Sequence, residues 1–110
     1  MDDCIFCKII EGDVPCDLVY QDDKLVVFRD IRPKAKTHLL LVPKLHIKSL
    51  LEVQGEHGDL LSHMMLVLPK IAIDAGLKTG FRTVINTGPG GGQEVDHLHL
   101  HVLGGGLAKF

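Results

Sequence analysis

The sequence predicts an α+β fold, with about five antiparallel strands covered by one long helix and one short one. Three observations predict it. Short β-branched and apolar runs alternate with turn residues, one stretch of about twenty residues carries apolar side chains at helical spacing, and short loops join most of the runs. Cys4 to Glu11 places Ile5, Phe6, Ile9 and Ile10 as a short helix would, with Gly12 as its stop. Leu18 to Tyr20 reads as a short strand, and Asp22-Asp23 as a turn into Lys24 to Arg29. Its Leu25-Val26-Val27-Phe28 run has the character of a well-buried strand. Arg32-Pro33-Lys34 is the next break, and Thr37 to Val42 a second buried strand ended by Pro43. From Glu56 to Leu77, the residues Leu60, Leu61, Met64, Leu68, Ile71 and Ala75 recur at three- and four-residue intervals. Pro69 should kink or split that helix, because an interior proline costs about 3 kcal/mol. Phe81 to Asn86 and Val95 to Leu103 complete the strands, with Gly88-Pro89-Gly90-Gly91-Gly92 between them.

Residues 1–110 are read as one domain, a size that can support one core. With 45% hydrophobic and 24% charged residues, the composition is that of a globular protein. Twelve basic residues against fourteen acidic ones give −2, and no basic stripe suggests nucleic-acid binding. Nothing resembles a signal peptide or a membrane span. Three cysteines form no disulfide framework, so a reduced cytoplasmic protein is expected. Seven histidines are the compositional oddity.

Three of them form His97-Leu98-His99-Leu100-His101. On a strand, alternate residues share a face, so the imidazoles point one way and the aliphatics the other. Their roots are then roughly 6–7 Å apart, a row able to line a cleft while Leu98, Leu100 and Val102 anchor the core. Three such groups on one face need a reason, because burying them unsatisfied is costly. A solvated face is the bland alternative, and a His-x-His metal site the stronger rival. The glycine-rich loop just before them favours phosphate, since its N–H groups can approach an anion without Cβ obstruction. Asn86 and Gln93 flank it with side-chain amides. Alone, such a loop is a weak signal.

These residues resemble the histidine-triad (HIT) family, whose signature is His-x-His-x-His followed by apolar residues. The similarity extends to Ile5-Phe6-Cys7-Lys8-Ile9-Ile10, Phe28-Arg29-Asp30-Ile31, Thr37-His38, Pro43-Lys44, His46-Ile47 and Gly91-Gly92-Gln93-Glu94-Val95. With Gly104-Gly105 after the triad, these blocks are similar to the family's Hint branch. The resemblance implies a HIT-like fold and a homodimer whose sheets join into one. It also implies a purine nucleotide site and hydrolysis of nucleoside 5′-phosphoramidates or acyl-adenylates. His99 matches the nucleophile, His101 a phosphate-contacting position and His38 a supporting histidine. Ile5, Phe6, Ile9, Phe28 and Ile31 match the base pocket, and Asp30 the ribose carboxylate. Asn86, Gly92, Gln93 and Glu94 match further phosphate-contacting positions.

The chemistry is sound. A neutral imidazole can attack phosphorus, provided a strand carbonyl or His38 orients its other nitrogen. No metal is required for that route. In the HIT proteins that carry structural zinc, however, Cys4 and Cys7 would be joined by His46 and His97, giving a closed tetrahedral site. The alternative is a pair of reduced thiols in a metal-free protein. Cys16 is read as structural, and His57 and His63 are given no function. Glu94 stands where some relatives have serine, and its charge would repel a phosphate unless turned away or protonated. The Leu107-Ala108-Lys109-Phe110 end lacks the longer tail of many relatives. Rival functions are dinucleoside polyphosphate hydrolysis, a nucleotide-binding regulatory protein with weak catalysis, and a metal hydrolase built on the histidine row.

Overall fold

The computed structural model describes residues 4–107. Residues 1–3 and Ala108-Lys109-Phe110 lie outside them. Helix α1 (Ile5–Ile10) is followed by β1 (Leu18–Gln21), β2 (Leu25–Arg29) and β3 (Thr37–Pro43). Helix α2 (Gly58–Asp74), β4 (Arg82–Val84) and β5 (Leu100–Gly104) complete the order. The five strands form one antiparallel sheet in the order β1-β2-β3-β5-β4.

The continuous apolar runs of β2 and β3 are explained by cover on both faces. Leu25, Val27, Leu39 and Leu41 point toward α2, where they pack with Met64, Leu68, Ile71 and Ala72. Val26, Phe28, Leu40 and Val42 point the other way and pack with Phe6 of α1. Leu98, Leu100 and Val102 belong to the α2 side. Truncating such a buried leucine to alanine typically costs about 2–5 kcal/mol.

Register then decides where the histidines go. Leu40 pairs with His101 and Leu39 with Val102, so His101 shares the Leu40 face, opposite α2. Regular strand begins only at Leu100, not at Val95. The extended path persists before it, because the Leu98 N–H donates to the Ile47 carbonyl at 2.7 Å. Imidazoles and aliphatics therefore separate as the alternation requires.

Two helix expectations need adjusting. A short 3-10 turn, Gly55–His57, precedes α2, and α2 then runs through Pro69 as one element. The proline deprives the Met65 carbonyl of its N–H donor, but Met65 lies on the exposed face, where water can serve. At α1, Cys4 is the N-cap, its sulfur accepting from the Cys7 N–H at 3.2 Å. Gly12 stops the helix in a left-handed conformation (φ 84°), its N–H returned to the Ile9 carbonyl. The third cysteine, Cys16, is exposed, so it is not a core residue.

Candidate active site

The face opposite α2 holds a cleft of about 560 Å³. Ile5, Phe6, Ile9, Phe28 and Ile31 form its apolar end. Ile31 is 91% exposed, an aliphatic side chain that a flat ring could cover. Asp30, His38, His99 and His101 form the polar side, and Asn86, Gly92 and Glu94 the far rim. A neighbouring cavity of about 820 Å³ shares Ile5, Glu94 and Val95 with the cleft.

The histidines do not converge on one point. His99 is buried to 6% exposure, with Phe6 edge-on to its ring at 5.0 Å. Its Nδ1 lies 2.7 Å from the His97 carbonyl. A carbonyl can only accept, so Nδ1 carries the proton and Nε2 keeps its lone pair. Burial lowers the His99 pKa and keeps the ring neutral. Of the two orienting groups open to the sequence, the structure thus uses the backbone carbonyl.

His38 serves His101 instead. The Lys34 N–H donates to His38 Nδ1 at 3.1 Å, so the neutral ring carries its proton on Nε2. That nitrogen is 2.8 Å from His101 Nδ1, which must accept. His101 is left with an Nε2–H as donor. Burial, followed by the neighbouring His99 and His38, depresses the His101 pKa to about 4. Asp30 Oδ2 stands 3.4 Å from His38 Nε2, while Oδ1 accepts the Arg32 N–H at 2.8 Å. Asp30 is therefore both a turn acid and a residue of the cleft.

The glycine loop is placed differently from the expectation. The N–H groups of Gly91, Gly92 and Gln93 bond to the Gly88 and Pro89 carbonyls within a 3-10 turn. Gly92 closes it at φ 79°, a conformation side chains rarely adopt. Gln93 is outside the cleft lining: its Oε1 accepts from the Gly88 N–H, and its Nε2 donates to the Lys48 and Val95 carbonyls. It braces the loop. Asn86 donates to the Gly91 carbonyl at 2.9 Å while also lining the cleft, and Glu94 is exposed at the rim.

At the other end of the row, His97 is fully buried beside Cys4, Cys7 and His46. One ligand atom from each lies within 4.8 Å of all the others. His97 Nδ1 is 3.3 Å from Cys4 Sγ and 3.1 Å from His46 Nδ1, and Cys7 Sγ is 3.3 Å from His46 Nδ1. Zinc bond lengths of about 2.0–2.3 Å imply tetrahedral edges of roughly 3.3–3.8 Å, so the four groups fit such an ion with small adjustments. His97 Nε2 donates to the Pro43 carbonyl at 2.8 Å, leaving Nδ1 for the cluster. Burial and the adjacent Cys4 push the bare Cys7 thiol up to about 11, so ligation would require that proton to leave.

The carbonyls of Pro43 and His97 and the Lys34 N–H had no signal in the sequence, being backbone groups. The pairing of His63 with Asp22 was also missed: Nε2 meets the carboxylate at 2.8 Å, and Tyr20 donates to the same oxygen at 2.9 Å. That trio ties α2 to the β1–β2 hairpin.

Comparisons with known proteins bear on the family and the fold. The family model described as "Scavenger mRNA decapping enzyme C-term binding" matches residues 3–108. Protein HitA of Neisseria gonorrhoeae is 55% identical over 104 residues, covering 94% of this chain and 97% of that protein. A purine nucleoside phosphoramidase of Escherichia coli K12 is 46% identical over 105 residues, covering 94% and 88%. The crystal structure of a HIT family hydrolase from Legionella pneumophila superposes with a TM-score of 0.94 at 44% identity, covering 98% of this chain and 97% of that one. A histidine triad protein from Clostridium difficile gives 0.93 at 46% identity, covering 100% and 97%.

Proposed function

The chain belongs to the histidine-triad (HIT) family, and on that premise we propose that it hydrolyses purine nucleoside 5′-phosphoramidates, of the adenosine 5′-monophosphoramidate type, or acyl-adenylates. A single observation carries the reading. The Nδ1–H of His99 is held by the His97 carbonyl, which leaves an unprotonated Nε2 on a buried, neutral ring in the wall of the cleft.

In the first step the Nε2 lone pair attacks phosphorus and the bond from phosphorus to the leaving nitrogen breaks. The departing amine gains a proton, and the nucleotide is carried on His99. In the second step water attacks phosphorus, the bond to Nε2 breaks, and the nucleoside 5′-monophosphate leaves. The Nε2–H of His101 is suited to donate to the phosphoryl oxygen or to the leaving atom. His38 fixes that donor through His101 Nδ1. Adenine or guanine would lie against Phe6, Phe28 and Ile31, with the ribose hydroxyls on Asp30.

Zinc enters the reading as a structural ion held by Cys4, Cys7, His46 and His97. With four protein ligands it would lock α1 to the β3 exit and the triad without an open coordination position. A homodimer belongs to the reading as well: β4 is an edge strand, and Met65, Leu66 and Ile73 leave apolar side chains exposed on α2. Light scattering would give its mass. Among the described residues no helix is long and apolar enough to cross a membrane.

The test is turnover of adenosine 5′-monophosphoramidate beside diadenosine polyphosphates by the wild type and His99→Ala. The expected result is preference for the phosphoramidate and loss of about a thousandfold or more in the variant, with AMP binding retained. Turnover by His99→Ala close to that of the wild type would defeat the proposal.

A further inference from the structure

The segment from Cys4 to Cys7 serves two places at once. Cys4 and Cys7 belong to the cluster with His46 and His97, while Ile5 and Phe6 between them form part of the apolar end of the cleft. Phe6 stands edge-on to His97 at 6.0 Å, to His99 at 5.0 Å and to Phe28 at 5.6 Å. His97 in turn supplies the carbonyl that fixes the attacking ring. The cluster therefore adjoins the cleft through two of its ligand-bearing segments, yet the reaction proposed above uses neither sulfur.

The two sulfurs also lie within one helical turn. Cys4 is the N-cap of α1 and Cys7 its third residue, and Cys4 Sγ already accepts from the Cys7 N–H at 3.2 Å. Cα atoms three residues apart on a helix are about 5 Å apart, inside the roughly 4.4–6.8 Å that a disulfide spans. The ligand atoms lie within 4.8 Å of one another, so side-chain rotation brings the sulfurs together without backbone movement. Both cysteines are only half-buried, and Cys4 lines the cavity of about 820 Å³, which gives a small oxidant a way in beside the cleft.

Resting on the zinc and nucleotide readings above, we propose that Cys4 and Cys7 form a peroxide-sensitive switch, whose disulfide opens the metal cluster and weakens nucleotide binding. Cys4 Sγ attacks one oxygen of hydrogen peroxide, the O–O bond breaks, and water leaves with a sulfenic acid formed on Cys4. Cys7 Sγ then attacks that sulfur, the S–O bond breaks, and the hydroxyl departs as water. Two electrons pass from the sulfur pair to one peroxide, giving one disulfide and two waters. The protons come from the two thiols, or from solvent where the sulfurs are zinc-bound thiolates. Neither sulfur of a disulfide is a thiolate, so only His46 and His97 remain as ligands. The Ile5-Phe6 wall is then held by the packing of Phe6 with Val26, Phe28, Leu40 and Val42 alone.

The test treats the reduced, zinc-loaded full chain with a slight excess of hydrogen peroxide, beside Cys16→Ser. In both, peptide mass spectrometry should show loss of two hydrogen atoms across Cys4 and Cys7, and a colorimetric chelator should capture the released zinc. Calorimetry should then show AMP bound about tenfold more weakly but still bound, with dithiothreitol and zinc restoring the original affinity. By reciprocity, AMP should tighten zinc binding by the reduced protein by the same factor. Sulfurs that remain thiols, or go to sulfinic acid without pairing, would overturn the switch. So would a disulfide that leaves zinc bound, or AMP affinity within about twofold of the reduced value. Those results would leave the zinc and nucleotide readings standing. Reduced protein that takes up no zinc would remove the metal reading and the switch together. Reduced, zinc-loaded protein that binds no AMP would remove the nucleotide reading and, with it, what the switch controls.

Discussion

His97 and His99 are two residues apart and share a face of the sheet, yet they use opposite nitrogens. His97 gives its Nε2–H to Pro43 and turns Nδ1 into the cysteine cluster. His99 gives its Nδ1–H to the His97 carbonyl and keeps Nε2 for the cleft. A backbone carbonyl chooses the tautomer in each case, and the tautomer separates a group placed to hold a metal from one placed to attack. Residue type alone does not define the role. What defines it is the acceptor that occupies the other side of the ring.

The largest expected effect comes from removing the attacking ring. His99→Ala should lower phosphoramidate turnover about a thousandfold or more without lowering the melting temperature by more than a few degrees, checked by activity and calorimetry. At the other end, Cys7→Ser should remove zinc from the purified protein. The same change, or a strong chelator on the wild type, should lower the melting temperature by about 10 °C or more while the cleft still binds AMP. Equal melting temperatures with and without chelator would erase the distinction between the two ends.

His38→Ala sharpens the account within the cleft. Its loss should reduce kcat by about 10–100-fold with KM nearly unchanged, because His38 acts through the His101 donor. His38→Gln, whose amide can still donate to His101 Nδ1, should recover part of that loss. A change confined to KM would contradict the positioning role.

The dependence of stability on pH follows from the same burial. His101 is depressed to about 4 in the folded protein from an unfolded value of 6.5, so between these pH values the unfolded chain binds the extra proton. Its contribution is complete above pH 6.5, declines as pH falls toward 4, and levels off below. Asp22 acts lower down. Burial raises its pKa, but hydrogen bonds from Lys24, His63, Tyr20 and Leu25 outweigh that and hold it at about 2, so its contribution fades from pH 3.8 toward 2. Urea unfolding across this range would show both declines. The smallest effect is His63→Ala, which should cost about 1 kcal/mol in the same experiment by releasing α2 from Asp22, with turnover unchanged.

Much of this was legible before any coordinates, for identifiable reasons. The period-two alternation of Leu98, Leu100 and Val102 with the histidines fixes which side faces the core. The blocks around Phe28, His38 and His46 carry the family resemblance. Chain ladders are harder to foresee: β5 begins at Leu100 because the residues before it bond to Ile47 rather than within the ladder. Gln93 resembled a free amide because one partner, the Lys48 carbonyl, lies 45 residues away, and the other two, the Gly88 N–H and the Val95 carbonyl, are brought to it only by the fold of its own loop. Pro69 was expected to kink or split the helix, and the helix is not split because the carbonyl it leaves without a donor lies on the exposed face. Arg32 and Lys34 read as a turn because nothing local says that the turn curls against a cleft.

The most direct measurement is mass spectrometry of a phosphoramidate reaction quenched under alkaline denaturing conditions, where a phosphorus–nitrogen adduct survives. A nucleotidyl group mapped to His99, accumulating before steady state and absent from His99→Ala, is the predicted result. No adduct at any reaction time, or one mapped to His101 or His97, would contradict the assignment of the attacking nitrogen.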